Sequence, residues 1–331
     1  MADTKSSVRL KTVLRRFSHT AALNDGDLAV DGATIDFVDV TPFIAAYRQM
    51  VRHVEFDMCE LAPTTYFIAR AYGAPFTALP IFLTRRFHHH GLVVRDDAGI
   101  TTPKDLKGKR VGVRAYSVTT GVWTRGILTN EYGLDASKVT WVVDDEEHVT
   151  QLKLPPNVVH VPDGTSLVSM MAAGEIAAAF TGNAGIGREG PPQAGWEARE
   201  RPKAASYREL LPDGRDLGAD WYRRTGIYPF HSVIVVKDDI LKAHPRIATS
   251  LYAAFSEAKA RWLPALKSGQ ANTAEDNDYR ALMPLIGDDP LPYGIEPNLK
   301  SIEALITYSV QQGLMPQRMS VDELFVDPEA L

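Results

Sequence analysis

The spacing of apolar residues predicts an alternation of short strands and helices. Val8, Leu10 and Leu14 are separated by charged or polar residues, the pattern of a half-buried strand over Val8–Leu14. The same reasoning puts strands at Thr34–Val40, Glu55–Met58, Ala78–Phe82, Gly91–Arg95, Arg110–Val113, Val139–Val143, Ala177–Phe180 and Ser232–Val236. Helices are predicted at Pro42–Val51, Pro63–Tyr72, Thr119–Tyr132, Ser166–Ala173, Pro245–Leu266 and Asn298–Gln312. Pro42, Pro63 and Pro245 stand near helix starts, where a missing N–H costs little. Gly73, Gly133 and Gly174 follow helix ends, as C-terminal caps do. This order argues for an α/β fold without internal repeats. The run 182–226, rich in Gly, Pro and charge, reads as a long irregular segment, of a kind that is often functional.

The 331 residues suit roughly two domains of about 150 residues each. With 45% hydrophobic and 23% charged residues, the composition is that of a globular chain and excludes a long disordered one. The 36 Lys+Arg and 41 Asp+Glu leave a net charge of -5, so no basic excess draws the chain to nucleic acid or an anionic membrane. The one cysteine, Cys59, excludes a disulfide framework and any multi-cysteine zinc or iron–sulfur site. Residues 1–20 lack the continuous apolar core of a signal peptide, and no segment approaches the ~18 apolar residues of a membrane span. The protein is therefore expected in the cytoplasm.

Gly99–Val113 (GITTPKDLKGKRVGV) leads through Arg114–Thr120 (RAYSVTT) into the helix that follows. A strand that passes through small hydroxyl residues into a helix start exposes backbone N–H groups suited to a carboxylate or phosphate. Ser117, Thr119 and Thr120 are the candidates, although helix capping alone also explains them. This segment, with Leu167–Phe180 and Tyr228–Val236, resembles the second lobe of type 2 periplasmic-binding-protein folds. The resemblance implies a two-lobe α/β protein with a hinge. It puts lobe two at 96–230, lobe one at 1–95 plus 231–331, and ligand in a cleft between the lobes.

Read in order, four motifs narrow the resemblance: HTAALNDG (His19–Gly26), FDMCELAPTTYFIARAYGAPFTALPIFLTRRFHHH (Phe56–His90), VGVRAYSVTTGVWTRGILTNEYG (Val111–Gly133) and TGIYPFHSVIVVKDD (Thr225–Asp239). Together they resemble the 4,5-dihydroxyphthalate decarboxylase family, whose members act on aromatic acids inside the cell. Two positions depart from the branch associated with dihydroxyphthalate itself. Gly112–Tyr116 reads GVRAY where that branch has a Pro-Glu pair, and His88-His89-His90 replaces R-H-S. These changes leave the identity of the aromatic acid open.

Decarboxylating a ring requires an acid for the ring carbon, a cationic clamp for the carboxylate and a cavity of aromatic size. His231, within the last motif, is the candidate acid, since histidine exchanges protons near neutrality; a histidine bracing the hinge is the rival reading. Arg85 and Arg86 follow an apolar strand and are candidate carboxylate clamps, of which at most one points into the cleft. The resemblance implies a substrate contact for His89 and a functional role for Glu60, which otherwise caps the next helix. His19 is either a cleft residue or a helix-start cap. Trp123 is either part of an aromatic wall or core. Asp144–Glu147 with His148 reads as a solvated surface loop. His88, His89 and His90 alternate in direction and cannot ligate one ion as a set, so a metal site is the less favoured reading and no cofactor is expected.

The sequence thus predicts a cofactor-free, non-oxidative aromatic acid decarboxylase. Its expected partner is a small aromatic carboxylate, with no nucleic acid and no membrane, and a homo-oligomer is left open. The alternative is a non-catalytic solute-binding protein or sensor on the same fold; a transport receptor must be exported, which the N-terminal sequence does not favour.

Overall fold

The computed structural model describes residues 7–187 and 206–328. Part of the irregular run 182–226, residues 188–205, lies outside the described residues, as do residues 1–6 of the N-terminal segment. The strands, in chain order, are β1 (Val8–Val13), β2 (Ala33–Phe37), β3 (Met58–Leu61), β4 (Phe76–Arg85), β5 (Leu92–Arg95), β6 (Arg110–Val113), β7 (Thr140–Val143), β8 (Val158–His160), β9 (Ala178–Phe180), β10 (Tyr207–Glu209) and β11 (Phe230–Lys237). The helices are α1 (Ala21–Asn24), α2 (Ile44–His53), α3 (Pro63–Ala71), α4 (Thr119–Tyr132), α5 (Leu167–Ala173), α6 (Gly214–Thr225), α7 (Asp238–Ala243), α8 (Ile247–Ser268), α9 (Ala274–Ile286), α10 (Leu299–Gln311) and α11 (Val321–Leu324).

The chain divides into two compact units. Unit one comprises Met1–Arg85, Phe230–Ile302 and Met319–Leu331; unit two comprises Arg86–Pro229 and Glu303–Arg318. The first crossing falls at 85/86, not at the expected 95/96, because β5 pairs with β9 and β10 in the sheet of unit two. The chain also returns to unit two at 303–318, a segment the sequence reading assigned to lobe one. There Tyr308 meets the Trp123 ring edge-on at 5.7 Å.

Unit one is built on a sheet of order β2-β1-β3-β11-β4. β1, β2 and β3 run parallel, and β11 runs antiparallel between β3 and β4. β3 is displaced from the predicted Glu55–Met58: Glu55 is exposed and pairs with Lys11, while all four residues of Met58–Leu61 are buried. A strand covered on both faces shows no in–out alternation, and in β3 even the one charged residue, Glu60, is buried. On one face Leu79, Ile81, Leu83, Ile234 and Val236 pack with Leu251, Phe255 and Ala258 of α8. Aromatic rings fill the other: Phe82 lies 4.5 Å from Phe230 and 5.9 Å from Phe325.

Unit two has a six-stranded sheet of order β10-β5-β9-β6-β7-β8. Val93, Val142, Leu167, Met170, Ile176 and Ala179 form one apolar cluster. Gly126, buried in α4, gives room to Tyr308: a Cβ there would lie 2.1 Å from the Tyr308 ring.

Two histidines expected at the substrate belong to the packing. His19 is 1% exposed, stacked on Phe17 at 5.1 Å and tilted against Trp262 at 5.4 Å. Burial, with Lys259 nearby, pushes its pKa down to about 3, and a bond to the Leu83 backbone only partly opposes this. His89 is 3% exposed and meets Trp221 edge-on at 5.2 Å. Burial lowers its pKa to about 4. Both rings are enclosed, and their burial keeps both neutral at physiological pH.

Two outcomes follow. Alanine favours a helix over glycine by about 1 kcal/mol, but overpacking against Tyr308 outweighs this. Gly126→Ala should destabilise unit two by a net ~2 kcal/mol or less in urea unfolding, and in a Tyr308→Ala background, where the ring is gone, the same substitution should be neutral or stabilising. The second concerns pH. His19 takes up its proton in the unfolded chain near its ordinary 6.5 but in the folded one only near 3. Its contribution is therefore complete above pH 6.5 and drains away as pH falls toward 3. His19→Gln should flatten the pH dependence of urea stability in that window by about 1.4 kcal/mol per pH unit, one proton's worth.

Candidate functional site

In an open α/β sheet, ligands bind beyond the carboxyl ends of parallel strands, where neighbouring strands send their connections in opposite directions. In unit one this point lies between β1, which leads to β2 on one side, and β3, which leads to β4 on the other. Arg15 follows the end of β1 and Glu60 lies near the end of β3, and the two side chains bridge the point. Arg15 Nε donates to Glu60 Oε1 at 3.0 Å and Oε2 at 3.2 Å, its Nη2 donates to Oε1, and its backbone N–H donates to Oε2 at 3.2 Å. The Glu60 side chain is fully buried, whereas Arg15 keeps 41% of its side chain exposed. The guanidinium also sits 4.8 Å from the Phe17 ring and 5.0 Å from the Phe43 ring. Glu60 is thus not a cap of α3. It anchors a cation that faces outward with an aromatic ring on either hand.

The remaining strand ends add to this rim. His231 is half-buried in β11, one residue past Phe230, which pairs in register with Arg85. Ser232, its neighbour, shares a hydrogen bond with Thr84 at 2.9 Å. Arg85 is buried; its Nη2 donates to the Pro292 carbonyl at 3.1 Å and to Asn298 Oδ1. This arginine braces the 292–298 segment, so of the two candidate clamps it is the buried one. Its backbone N–H donates to the Tyr279 hydroxyl at 3.3 Å, and Tyr279 meets Glu275 Oε1 at 3.2 Å. Burial, with Glu60 and Asp276 adding to it, raises the Glu275 carboxyl above its usual range, against the pull of Tyr279 and Arg15. Cys59 is an inert neighbour: burial, then Glu60, pushes its thiol up.

Unit two has its own polar rim at the start of α4. Arg86 is exposed and its Nη2 donates to Thr120 Oγ1 at 2.9 Å, so of the two arginines Arg86 is the one beside the helix start. Thr119 is buried in the first turn, and the N-cap, Val118, offers no side-chain cap. Ser117 is already engaged. Glu147 accepts from the Tyr116 N–H at 2.6 Å, from the Ser117 N–H at 3.2 Å and from the Ser117 hydroxyl. Burial raises the Glu147 carboxyl, and these hydrogen bonds oppose the rise. The acidic run is therefore no solvated loop: Asp145 and His148 are buried, and Asp145 lies 3.9 Å from Arg114 Nε. Trp123 is fully buried, parallel to His88 and edge-on to Tyr308, so it is core rather than a ligand wall. Among the described residues, no three His, Cys, Asp or Glu side chains are grouped so as to hold a metal ion. Nor is any described helix long and apolar enough to cross a membrane.

Sequence reading passed over Arg15, Glu275 and Tyr279. Arg15-Arg16 directly after a strand repeats the signal that drew attention to Arg85-Arg86. Thr273-Ala274-Glu275-Asp276 is a capping box, visible as a threonine three residues before an acid, and it opens α9.

Residues 45–154 match the profile of the family described as NMT1/THI5 like. Among solved structures, the chain is similar to the periplasmic aliphatic sulphonate binding protein SsuA from Escherichia coli, with 14% identity, a TM-score of 0.53, and coverage of 96% of this chain and 97% of that one. It is also similar to the desulfurization enzyme DSZB, with 17% identity, a TM-score of 0.54, and coverage of 97% and 96%. These likenesses give the fold, the two-lobe α/β fold of periplasmic binding proteins. A protein of Pseudomonas putida named 4,5-dihydroxyphthalate decarboxylase is 34% identical over 226 residues, 66% of this chain and 83% of its own. One of the same name from Comamonas testosteroni is 31% identical over 332 residues, 97% of each chain. With similarity running through nearly the whole of both sequences, the chain belongs to the 4,5-dihydroxyphthalate decarboxylase family.

Proposed function

We propose that the protein is a carboxy-lyase that removes CO2, without oxidation, from a phthalate-type aromatic acid bound at the rim of unit one. The observation that carries this reading is the 31% identity along 97% of both chains to a relative named 4,5-dihydroxyphthalate decarboxylase. The rim supplies chemistry of the required kind. The outward edge of Arg15 takes a substrate carboxylate, Phe17 and Phe43 flank the cation with apolar surface suited to a flat ring, and Glu60 holds the guanidinium in place. His231 gives its proton to the ring carbon that bears the leaving carboxylate. The carbon–carbon bond then breaks, its electron pair returns to the ring, and CO2 departs. Water restores the proton to His231, so one proton is consumed per turnover. In this reading no metal or cofactor takes part. Arg86, Thr119 and Thr120 give unit two a separate edge suited to an anion.

The test is anaerobic incubation with 4,5-dihydroxyphthalate, reading CO2 and product mass. CO2 release with loss of one carboxyl group, unchanged by a chelator, is the expected result. Reversible binding without CO2 would replace the enzyme reading with that of a solute-binding protein. Loss of activity with chelator would sink the cofactor-free mechanism. His231→Gln should lower kcat by about 100-fold or more, the usual worth of a positioned acid. Arg15→Lys, which keeps the charge but loses the paired donors, should raise KM by about tenfold with a smaller effect on kcat.

A further inference from the structure

The hydrogen-bond chain that begins at the Arg85 backbone and ends on Glu275 has no part in the mechanism above. α9 brings it to the rim. The first turn of α9 is fixed by its capping box, in which Asp276 also accepts from the Ser18 hydroxyl at 2.9 Å and the Trp262 indole N–H at 2.9 Å. These bonds tie the helix start to the turn after β1, the turn that carries Arg15. One helical turn later the Tyr279 hydroxyl accepts from the Arg85 N–H and engages Glu275 Oε1. Arg85 pairs with Phe230, the residue before His231. Glu275 is therefore linked to both ends of the rim: to the Arg15 side through its neighbour Asp276, and to the His231 side through Tyr279. Its other oxygen, Oε2, has no hydrogen-bond partner among the described residues. Glu60, by contrast, is committed to Arg15 through both oxygens.

We infer that Glu275 is the base that recognises a ring hydroxyl of the substrate and takes its proton during decarboxylation. The inference rests on the decarboxylase reading. The chemistry follows from the substituent pattern of a 4,5-dihydroxyphthalate, in which each carboxyl-bearing carbon lies para to a hydroxyl. The phenolic O–H bond breaks, its proton goes to Glu275 Oε2, and the electron pair pushes through the ring to the para carbon. That carbon takes the proton from His231. The bond to the carboxylate breaks, its electrons restore the aromatic ring as a phenolate, and CO2 leaves. Glu275 then returns its proton to the phenolate oxygen. The net change is one carboxylate plus one proton giving one C–H bond and CO2, with no oxidant or reductant. A half-buried carboxyl whose proton affinity is raised is a better base for a phenol than one at the usual value.

The groups that act on Glu275 are Tyr279 and Asp276 of its own helix, Arg15 beyond β1 and Glu60 of β3. Tyr279 and Arg15 favour its charged form; Glu60 and Asp276 oppose it. The base must be unprotonated to act, so activity should fall as pH drops through its pKa. Glu275→Gln should lower kcat on 4,5-dihydroxyphthalate by about 100-fold and remove that acidic limb of the pH profile. Tyr279→Phe, which deletes a bond favouring the charged form, should keep most activity but move the limb to higher pH. Binding gives a readout that needs no turnover. Calorimetry should show the wild type preferring 4,5-dihydroxyphthalate to unsubstituted phthalate, and Glu275→Gln, with unchanged circular dichroism, should lose that preference while still binding phthalate. If the wild type binds both acids but releases no CO2, the decarboxylase reading fails, and the binding arm still decides the assignment of Glu275. An unaltered hydroxyl preference in Glu275→Gln, or an unmoved acidic limb in Tyr279→Phe, would overturn it.

Discussion

The pairing of Arg15 with Glu60 is the constraint around which unit one is arranged. A carboxylate with no solvent exposure is tolerated only when its lone pairs are satisfied by donors and its charge is met by a cation. Three donors of one residue, two on the guanidinium and one on the backbone, meet that need. The arrangement is possible because β1 and β3 are adjacent and parallel, with Val13 opposite Cys59. Removing either partner leaves more than a lost contact. Glu60 without Arg15 is a buried charge; Arg15 without Glu60 is a long, loose side chain between two rings. The pair is weak evidence for stability and strong evidence for orientation, since what it fixes is the direction of a cation.

Unit two solves a related problem in another way. The turn after β6 presents backbone N–H groups, as the sequence pattern implied, but the chain meets two of them with a carboxylate of its own, Glu147. Arg125 backs this turn from within the core, donating to the Tyr116 carbonyl at 2.5 Å and to Gln312 at 2.7 Å. In the next stretch of the same turn Thr119 is buried and Thr120 accepts from Arg86.

Much of the fold was legible. Arg110–Val113 and the helix Thr119–Tyr132 stand where periodicity and the Gly133 cap put them, because local pattern and tertiary burial agree there. α9 was missed: its sequence, AEDNDYRALMPLI, is polar at the start and carries Pro284 inside. The site was less legible than the fold, for a physical reason. Whether an arginine braces or binds depends on partners distant in sequence, such as Asn298 for Arg85 and Glu60 for Arg15. The three consecutive histidines were conspicuous in sequence, yet two of them are buried, packed on Trp123 and Trp221. Proximity in the chain gave them prominence; enclosure by apolar rings gives them their role.

The position of β11 has a consequence for biosynthesis. It lies between β3 and β4, but it is made only after nearly all of unit two has left the ribosome. Until then β3 and β4, among the most apolar segments of the chain, lack the partner that joins them. Unit two in turn waits for residues 303–318 before Tyr308 can settle on Gly126. Unit one cannot be finished until all of unit two has been translated, so the nascent protein carries unpaired strand edges from the end of β4 until β11 is made. Such edges invite pairing with foreign strands, and the cell's holding chaperones are the natural guardians of that interval.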